Sequence, residues 1–224
     1  ALDLIPSTPP KKAFPKDRVL LIVMARWPAP NRCKTRLAKE IGANCAALIQ
    51  QKLTIHTCKV AKDLSYKNIS EIKLAISGIG LKHARNWGHS MGFNLISLQG
   101  KGNLGTRMKR QLINSKNIKN FKKFIIIGTD LPALCESDIS LAIHKLKRND
   151  CVIGPSVDGG YWLIGFNKNQ LKRNLIWPFT GISWGSKYVL KQTLKKANEN
   201  NINYELLSLK NDLDTKQDLS PWMK

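Results

Sequence analysis

The stretch VMARWPAPNRCKTRL, Val23 to Leu37, empties an apolar run into a loop that holds two prolines and four cationic side chains: Arg26, Arg32, Lys34 and Arg36. Pro28 and Pro30 keep the loop out of helix at its start, and helical pattern resumes near Thr35. So basic a loop is not buried without a negatively charged partner. Helix N-termini present free N–H groups and a partial positive charge, which suits phosphate. Guanidinium and ammonium groups added there make a site for a di- or triphosphate. A solvated basic turn is the competing reading, and the loop's place directly after the first strand favours phosphate.

Outward from that loop, apolar β-rich runs alternate with helical patterns. Strands are expected at Val19–Ala25, Ile72–Ser77, Phe93–Leu98, Phe124–Ile127, Val152–Gly154, Tyr161–Phe166 and Tyr204–Leu209. Helices are expected at Thr35–Ile41, Cys45–Leu64, Lys82–Met91, Leu104–Asn114, Ser137–Lys147 and Ser186–Asn198. Ser137 serves as an N-cap, and Gly42 and Gly92 stand where helices stop. Strand–helix–strand repetition predicts an α/β fold with a mainly parallel sheet and helices on both faces. DGGYWLIGF leaves no room for a crossover helix and predicts a hairpin or an antiparallel edge strand. Residues 1–17 read as a proline-rich arm without signal-peptide layout, and 18–224 as one domain.

The 224 residues are 42% apolar, enough for a core, and carry a formal charge of +22. That field attracts nucleic acid, anionic membranes or phosphorylated metabolites. Its lysines are spread through stretches such as NSKNIKNFKK without interleaved aromatics, so no specific nucleic-acid binding is expected. No apolar run is long enough to span a membrane, and none is expected to insert. Five cysteines without a CxxC argue against a disulfide framework or zinc knuckle, and the four histidines lack ligand spacing. A cytoplasmic protein is the simplest reading; the oligomeric state is left open.

Ligands of such sheets bind beyond the carboxyl ends of the strands, where the opening loop, GKGNLGTRM and GTDLPAL all fall. Asp130 of GTDLP would face the basic loop. An acid beside bound phosphate calls for a divalent cation, and Asp212 and Asp214 after the last strand could join it; Mg²⁺ and Mn²⁺ prefer such oxygens. Gly100, Gly102 and Gly105 spell a GxGxxG, but after the third strand, where they would let the backbone approach a nucleotide or ribose near Arg107. A nicotinamide enzyme is the minor alternative. Gly181-Ile-Ser-Trp-Gly185 spells a nucleophile elbow without the preceding strand or a later histidine, so a serine hydrolase is not expected. In GPSVDGGYWLIG, Asp158 beside Tyr161 and Trp162 suits a polyhydroxylated ligand or, equally, a tight hairpin with core aromatics. Trp177 and Trp184 could line an acceptor pocket, form a subunit contact or belong to the core.

Taken in order, these segments resemble the small GT-A-fold proteins grouped as domain of unknown function 2064. Members of that family are assigned as glycosyltransferases, some in arsenosugar biosynthesis. The family's opening K-x-P-x-P-G-x-x-K-T-R-L is met by Arg26, Pro28, Pro30, Asn31 and Lys34 to Leu37. Q-x-x-G-D-L-G-x-R-M falls on Gln99, Gly102 to Gly105, Arg107 and Met108, and G-x-D-x-P-x-L on Gly128, Asp130, Pro132 and Leu134. G-P-x-x-D-G-G-Y-x-L-I-G falls on Gly154 to Gly165, I-x-W-G-S on Ile182 to Ser186, and D-x-D-T-x-x-D-L on Asp212 to Leu219. Asn31 stands in for a glycine, which Asn's access to left-handed backbone permits, and Asn103 for an acid.

The resemblance implies a GT-A-like (Rossmann-like) three-layer sandwich using a nucleotide-activated sugar, a small-molecule acceptor and Mg²⁺ or Mn²⁺. Nucleotide and phosphate contacts are then expected from Ala25, Arg26, Pro28, Lys34, Thr35, Arg36, Gln99, Gly102, Leu104, Gly105 and Arg107. Metal contacts fall to Asp130, Asp212 and Asp214, and acceptor or sugar contacts to Gly159, Gly160, Tyr161 and Trp184. Asp158 and Lys34 are the catalytic candidates. Two alternatives are nucleotidyl transfer from an NTP to a phosphorylated small molecule, releasing pyrophosphate, and a non-catalytic nucleotide- or polyanion-binding module.

Overall fold

A computed structural model describes residues 18–67, 69–116, 120–172 and 177–222; the expected N-terminal arm lies outside them. Strand β1 is Arg18–Arg26, buried along all but its two ends. Val19, Leu21, Val23 and Ala25 pack on one face, Leu20, Ile22 and Met24 on the other. A strand buried on both faces belongs in the middle of a sheet covered by helices. Its neighbours are β2 (Ser70–Ser77) and β4 (Phe121–Ile127), both parallel to it. With β3 (Leu95–Leu98), β5 (Cys151–Pro155), β6 (Tyr161–Asn167) and β7 (Tyr204–Leu206), the sheet has seven strands in the order β3-β2-β1-β4-β6-β5-β7.

The helices are α1 (Thr35–Ile41), α2 (Ala43–Tyr66), α3 (Leu81–Ser90), α4 (Leu104–Lys116), α5 (Glu136–Lys145), α6 (Lys168–Lys172), α7 (Val189–Glu199) and α8 (Lys216–Leu219). One core layer joins the sheet to α2, α3 and α5 through Ala61, Leu64, Ala84, Ile139 and Ala142. The other joins it to α4 and α7 through Met108, Leu112 and Ala197, with Phe121, Phe124, Phe166 and Trp177 between. This is the expected three-layer α/β domain. Among the described residues no helix is long and apolar enough to cross a membrane.

The chain runs outward from β1 to β2 and β3, then returns to the far side of β1 as β4. That reversal opens a crevice between the carboxyl ends of β1 and β4. Strand β6 is antiparallel to both neighbours, with Leu163 opposite Ile127. Hence the β5–β6 turn lies at the same rim as the end of β4. The antiparallel strand is therefore an interior hairpin arm, and the edge alternative does not hold.

Several boundaries differ from expectation, three of them for a visible local reason. Strand β3 starts at Leu95 because Phe93 N–H donates to the Gly88 carbonyl (2.9 Å) and closes α3. Strand β7 ends at Leu206, though Leu207 N–H and Lys210 N–H still reach the carbonyls of Ile153 and Pro155 (2.8 and 3.1 Å). The N-cap of α5 is Cys135, its backbone N–H held by Asp138, and Ser137 lies inside the helix.

Candidate functional site

Five segments converge on the rim: the loop after β1, the β3–α4 loop, the loop after β4, the β5–β6 turn and the segment after β7. They enclose a cleft of about 730 Å³, a volume suited to a small-molecule ligand. Arg26, Arg32, Lys34, Thr35, Arg36, Gln99, Leu104, Arg107, Asp130, Asp158, Gly160, Tyr161, Trp184, Asp212 and Asp214 all line it. Motifs far apart in the chain thus meet in one place.

The acidic side is stitched together by backbone. Leu213 N–H donates to the Asp130 carbonyl (2.9 Å), which sets Asp212 and Asp214 beside the end of β4. Between them lies Lys34, whose Nζ is 2.5 Å from Asp130 Oδ1 and 2.9 Å from Asp214 Oδ1. Its side chain is 3% exposed. Burial opposes the ammonium charge, but attraction by Asp130 and Asp214 outweighs it and holds the Lys34 pKa above its ordinary value. Burial pushes the Asp212 carboxyl up to about 7, reinforced by Asp130, Asp158 and Asp214 and opposed by Lys34. Asp130 and Asp214 therefore share one ammonium, with Asp212 within reach of its charge. Among the described residues, no three His, Cys, Asp or Glu side chains are grouped to hold a metal ion; Lys34 stands between two of the expected ligands.

The basic side is held by Gln99, which is 3% exposed. Its Nε2 donates to the carbonyls of Ala25 (2.9 Å) and Ala75 (3.0 Å), and its Oε1 accepts from Arg107 Nη1 (3.1 Å). Gln99 was expected to touch the nucleotide; its amide is instead taken up in orienting Arg107. Arg107 Nε is buried without a hydrogen-bond partner. Burial lowers the Arg107 pKa, and repulsion from Arg26 and Arg110 lowers it further. Arg26, Arg107 and Arg110 thus crowd positive charge together.

Local turns explain the remaining candidates. Asn31 and Lys34 have φ of 61° and 47°, left-handed values that let the loop fold back before α1. Asn103 Oδ1 accepts from Thr106 N (2.9 Å) and Thr106 Oγ1 (3.0 Å), capping α4 as an acid would. Ala25, Pro28, Gly102, Gly105 and Gly159 are not among the side chains lining the cleft. Ala25 is fully buried and offers its carbonyl to Gln99. Gly102 turns the β3–α4 loop at φ 110°. A Cβ at Gly105 would come 2.5 Å from the Trp184 indole, so this glycine seats the aromatic wall. Trp184 meets Tyr161 edge-on, ring centroids 6.3 Å apart. Gly159 turns the β5–β6 hairpin at φ 85° against the Lys187 carbonyl.

Asp158 Oδ1 accepts from Ser156 Oγ and Gly160 N–H, both at 2.9 Å. The carboxylate is exposed and fixed in direction, in a tight turn that lines the cleft. Trp177 is buried in the core. Sequence reasoning did not single out Lys187, Ser186 or Gln50 as cleft residues. Gln50, buried mid-helix and bonded to Thr129 Oγ1 (3.2 Å), carried one signal: a polar residue on the apolar face of α2. Gly100–Gly105 follows the edge strand β3, and among the described residues no strand directly precedes Ser183, whose hydroxyl accepts from Gln192.

Sheet order and rim place the chain among GT-A-like α/β folds of nucleotide-using transferases. More narrowly, it belongs to the family described as "uncharacterized protein conserved in bacteria (DUF2064)", which matches residues 60–186. A provisionally named nucleotide-diphospho-sugar transferase from Desulfovibrio desulfuricans G20 is 25% identical, with a TM-score of 0.80, over 92% of this chain and 86% of that one. The 4-diphosphocytidyl-2C-methyl-D-erythritol synthase of Anaerococcus prevotii shares the fold at 11% identity and TM-score 0.57, over 92% and 96% of the chains. The inositol-1-phosphate CTP transferase of T. maritima does so at 14% and 0.54, over 92% and 93%. No curated protein matches the chain.

Proposed function

We propose that the protein transfers a glycosyl group from a nucleotide-diphospho-sugar to a hydroxyl of a small-molecule acceptor. The observation that carries this is the two-sided cleft: guanidinium groups on one wall, four carboxylates on the other, beyond the strand ends where such folds bind ligands. In the transfer, the bond from the anomeric carbon to the diphosphate breaks and a bond to the acceptor oxygen forms. The acceptor loses a proton and the leaving group gains negative charge. Arg26, Arg36 and Arg107 meet that charge with donors already in place. Asp158, whose direction is fixed by two donors on its Oδ1, is the carboxylate placed to orient the acceptor hydroxyl and take its proton. Tyr161, Trp184 and Gly160 form the wall against which a sugar ring packs.

Asp130, Asp212 and Asp214 are hard oxygen donors of the type a divalent cation takes, and a cation there would have to draw them together around Lys34. Mg²⁺ or Mn²⁺ held there would supply positive charge against the diphosphate.

One observation favours nucleotidyl transfer as a second reading. The loop after β1 concentrates Arg26, Arg32, Lys34 and Arg36 at the cleft, charge enough for a triphosphate. ³¹P NMR of the products separates the two. Release of nucleoside diphosphate supports glycosyl transfer, pyrophosphate from an NTP supports the second reading, and no turnover of either donor class rejects both.

A further inference from the structure

We propose that Lys73, Gln111 and Ser115 are positioning residues. They form a buried polar stripe beneath α4 that fixes where the helix sits along the sheet, and so where Arg107 meets the phosphates of the ligand. This rests on the phosphate-binding reading of the cleft and names what sets its geometry.

Helix α4 meets the sheet through two kinds of contact. Met108 and Leu112 belong to the apolar core, and apolar contact has no preferred direction. Arg107, Gln111 and Ser115 follow one another at spacings of four, which puts them on one face of the helix. Gln111 and Ser115 are fully buried. Gln111 Nε2 donates to the Leu98 carbonyl (2.9 Å), and its Oε1 accepts from Ser97 Oγ (2.7 Å), both on β3. From β2, Lys73 Nζ donates to Ser115 Oγ (3.0 Å), and that hydroxyl donates to the Gln111 carbonyl (2.6 Å). At the cleft end the same row finishes in Arg107, bonded to Gln99 Oε1 (3.1 Å). Directional bonds thus tie successive turns of α4 to two strands and to the residue that orients its guanidinium.

The stripe is unfavourable in itself. Lys73 is 6% exposed, and its ammonium meets the hydroxyl of Ser115. Burying an ammonium against a neutral acceptor opposes folding, and an apolar side chain of similar volume would fill the space without that penalty. An apolar side chain does not fix a register, however. Hydrogen bonds weaken steeply once distance and angle are lost, whereas apolar surfaces slide. Ser115 lies about 12 Å along the helix axis from Arg107, so anchoring the far end of α4 governs the reach of the guanidinium. A slide of about 1.5 Å, one residue's rise, would part Arg107 from Gln99.

The test is calorimetric titration with inorganic pyrophosphate on wild type, Lys73→Met, Gln111→Met and Leu112→Val, with the melting temperature of each. Lys73→Met should melt higher than wild type yet bind pyrophosphate about threefold to tenfold more weakly, the scale of one hydrogen bond. Gln111→Met should weaken binding at least as much. Leu112→Val, which trims the apolar part of the same interface, should melt lower and bind as wild type does. Stability and affinity moving in opposite directions is a result that a merely structural role does not produce. On an Arg107→Ala background, Lys73→Met should weaken binding no further. Lys73→Met binding as tightly as wild type, or affinity that follows melting temperature across the three variants, overturns the proposal. So does an undiminished effect of Lys73→Met without Arg107. Wild type that fails to bind pyrophosphate overturns the phosphate reading of the cleft itself, so the two failures are told apart.

Discussion

Gln99 shows how a buried amide can govern a site through its neighbour. Both its ends are used, one on the carbonyls of Ala25 and Ala75 and the other on Arg107. Gln99→Leu would leave those groups without their partner and let the guanidinium swing. Nucleotide affinity should fall about tenfold, the scale of one hydrogen bond to a charged group. Arg107→Ala should cost at least as much, and the double variant little more than Arg107→Ala alone. Additive losses by calorimetry would mean that Gln99 does not act through Arg107.

At the scale of elements, the β5–β6 turn brings Asp158 to the rim only because Gly159 passes the Lys187 carbonyl at φ 85°. Gly159→Ala places a Cβ against backbone, which cannot give way as a flexible side chain could. We expect a loss of about 2 kcal/mol or more from strain at a special backbone position, seen as a melting point lower by about 4–8 °C. Strand β2 carries the opposite case. Lys73 is 6% exposed, bonded to Ser115 Oγ (3.0 Å), and burial lowers its pKa to about 8 from 10.5. Above pH 10.5 neither state carries this proton. As pH falls from 10.5 to 8, the unfolded chain takes it up first and stability drops; below 8 the penalty is constant. Lys73→Met should therefore stabilise the protein at pH 7 by about 1–3 kcal/mol. The gain should vanish near pH 10.5. A melting-point difference independent of pH would refute the burial penalty.

For the whole molecule, the sheet was legible because β1 and the Phe124–Ile127 end of β4 are continuous apolar runs, β2 a shorter one, and helical periodicity separates them, as a parallel sheet covered on both faces requires. The rim was legible as well, since the basic loop, GTDLP and the acids after β7 each follow a strand. Strand order was not. Whether DGGYWLIGF forms an edge or an interior strand depends on pairing between distant segments, which local pattern does not encode. Nor was the division of labour among site residues. Gln99, Gly105 and Gly159 carry motif positions yet serve the scaffold, because their partners Arg107, Trp184 and Lys187 come from other elements. The pairing of Lys34 with Asp214 spans 180 residues, beyond any local reading.

The +22 charge reaches beyond the cleft and would draw any polyanion, with salt sensitivity as its mark. The central claim is narrower: the cleft takes a nucleotide-sugar through its acidic and basic walls together. The most direct measurement is calorimetric titration with a panel of nucleotide-diphospho-sugars and NTPs, with and without Mn²⁺, on wild type and Asp130→Ala. The account predicts that one nucleotide-sugar binds best, that Mn²⁺ tightens it, and that Asp130→Ala abolishes the tightening. Binding indifferent to Mn²⁺ and to Asp130, fading steeply with salt, would contradict it.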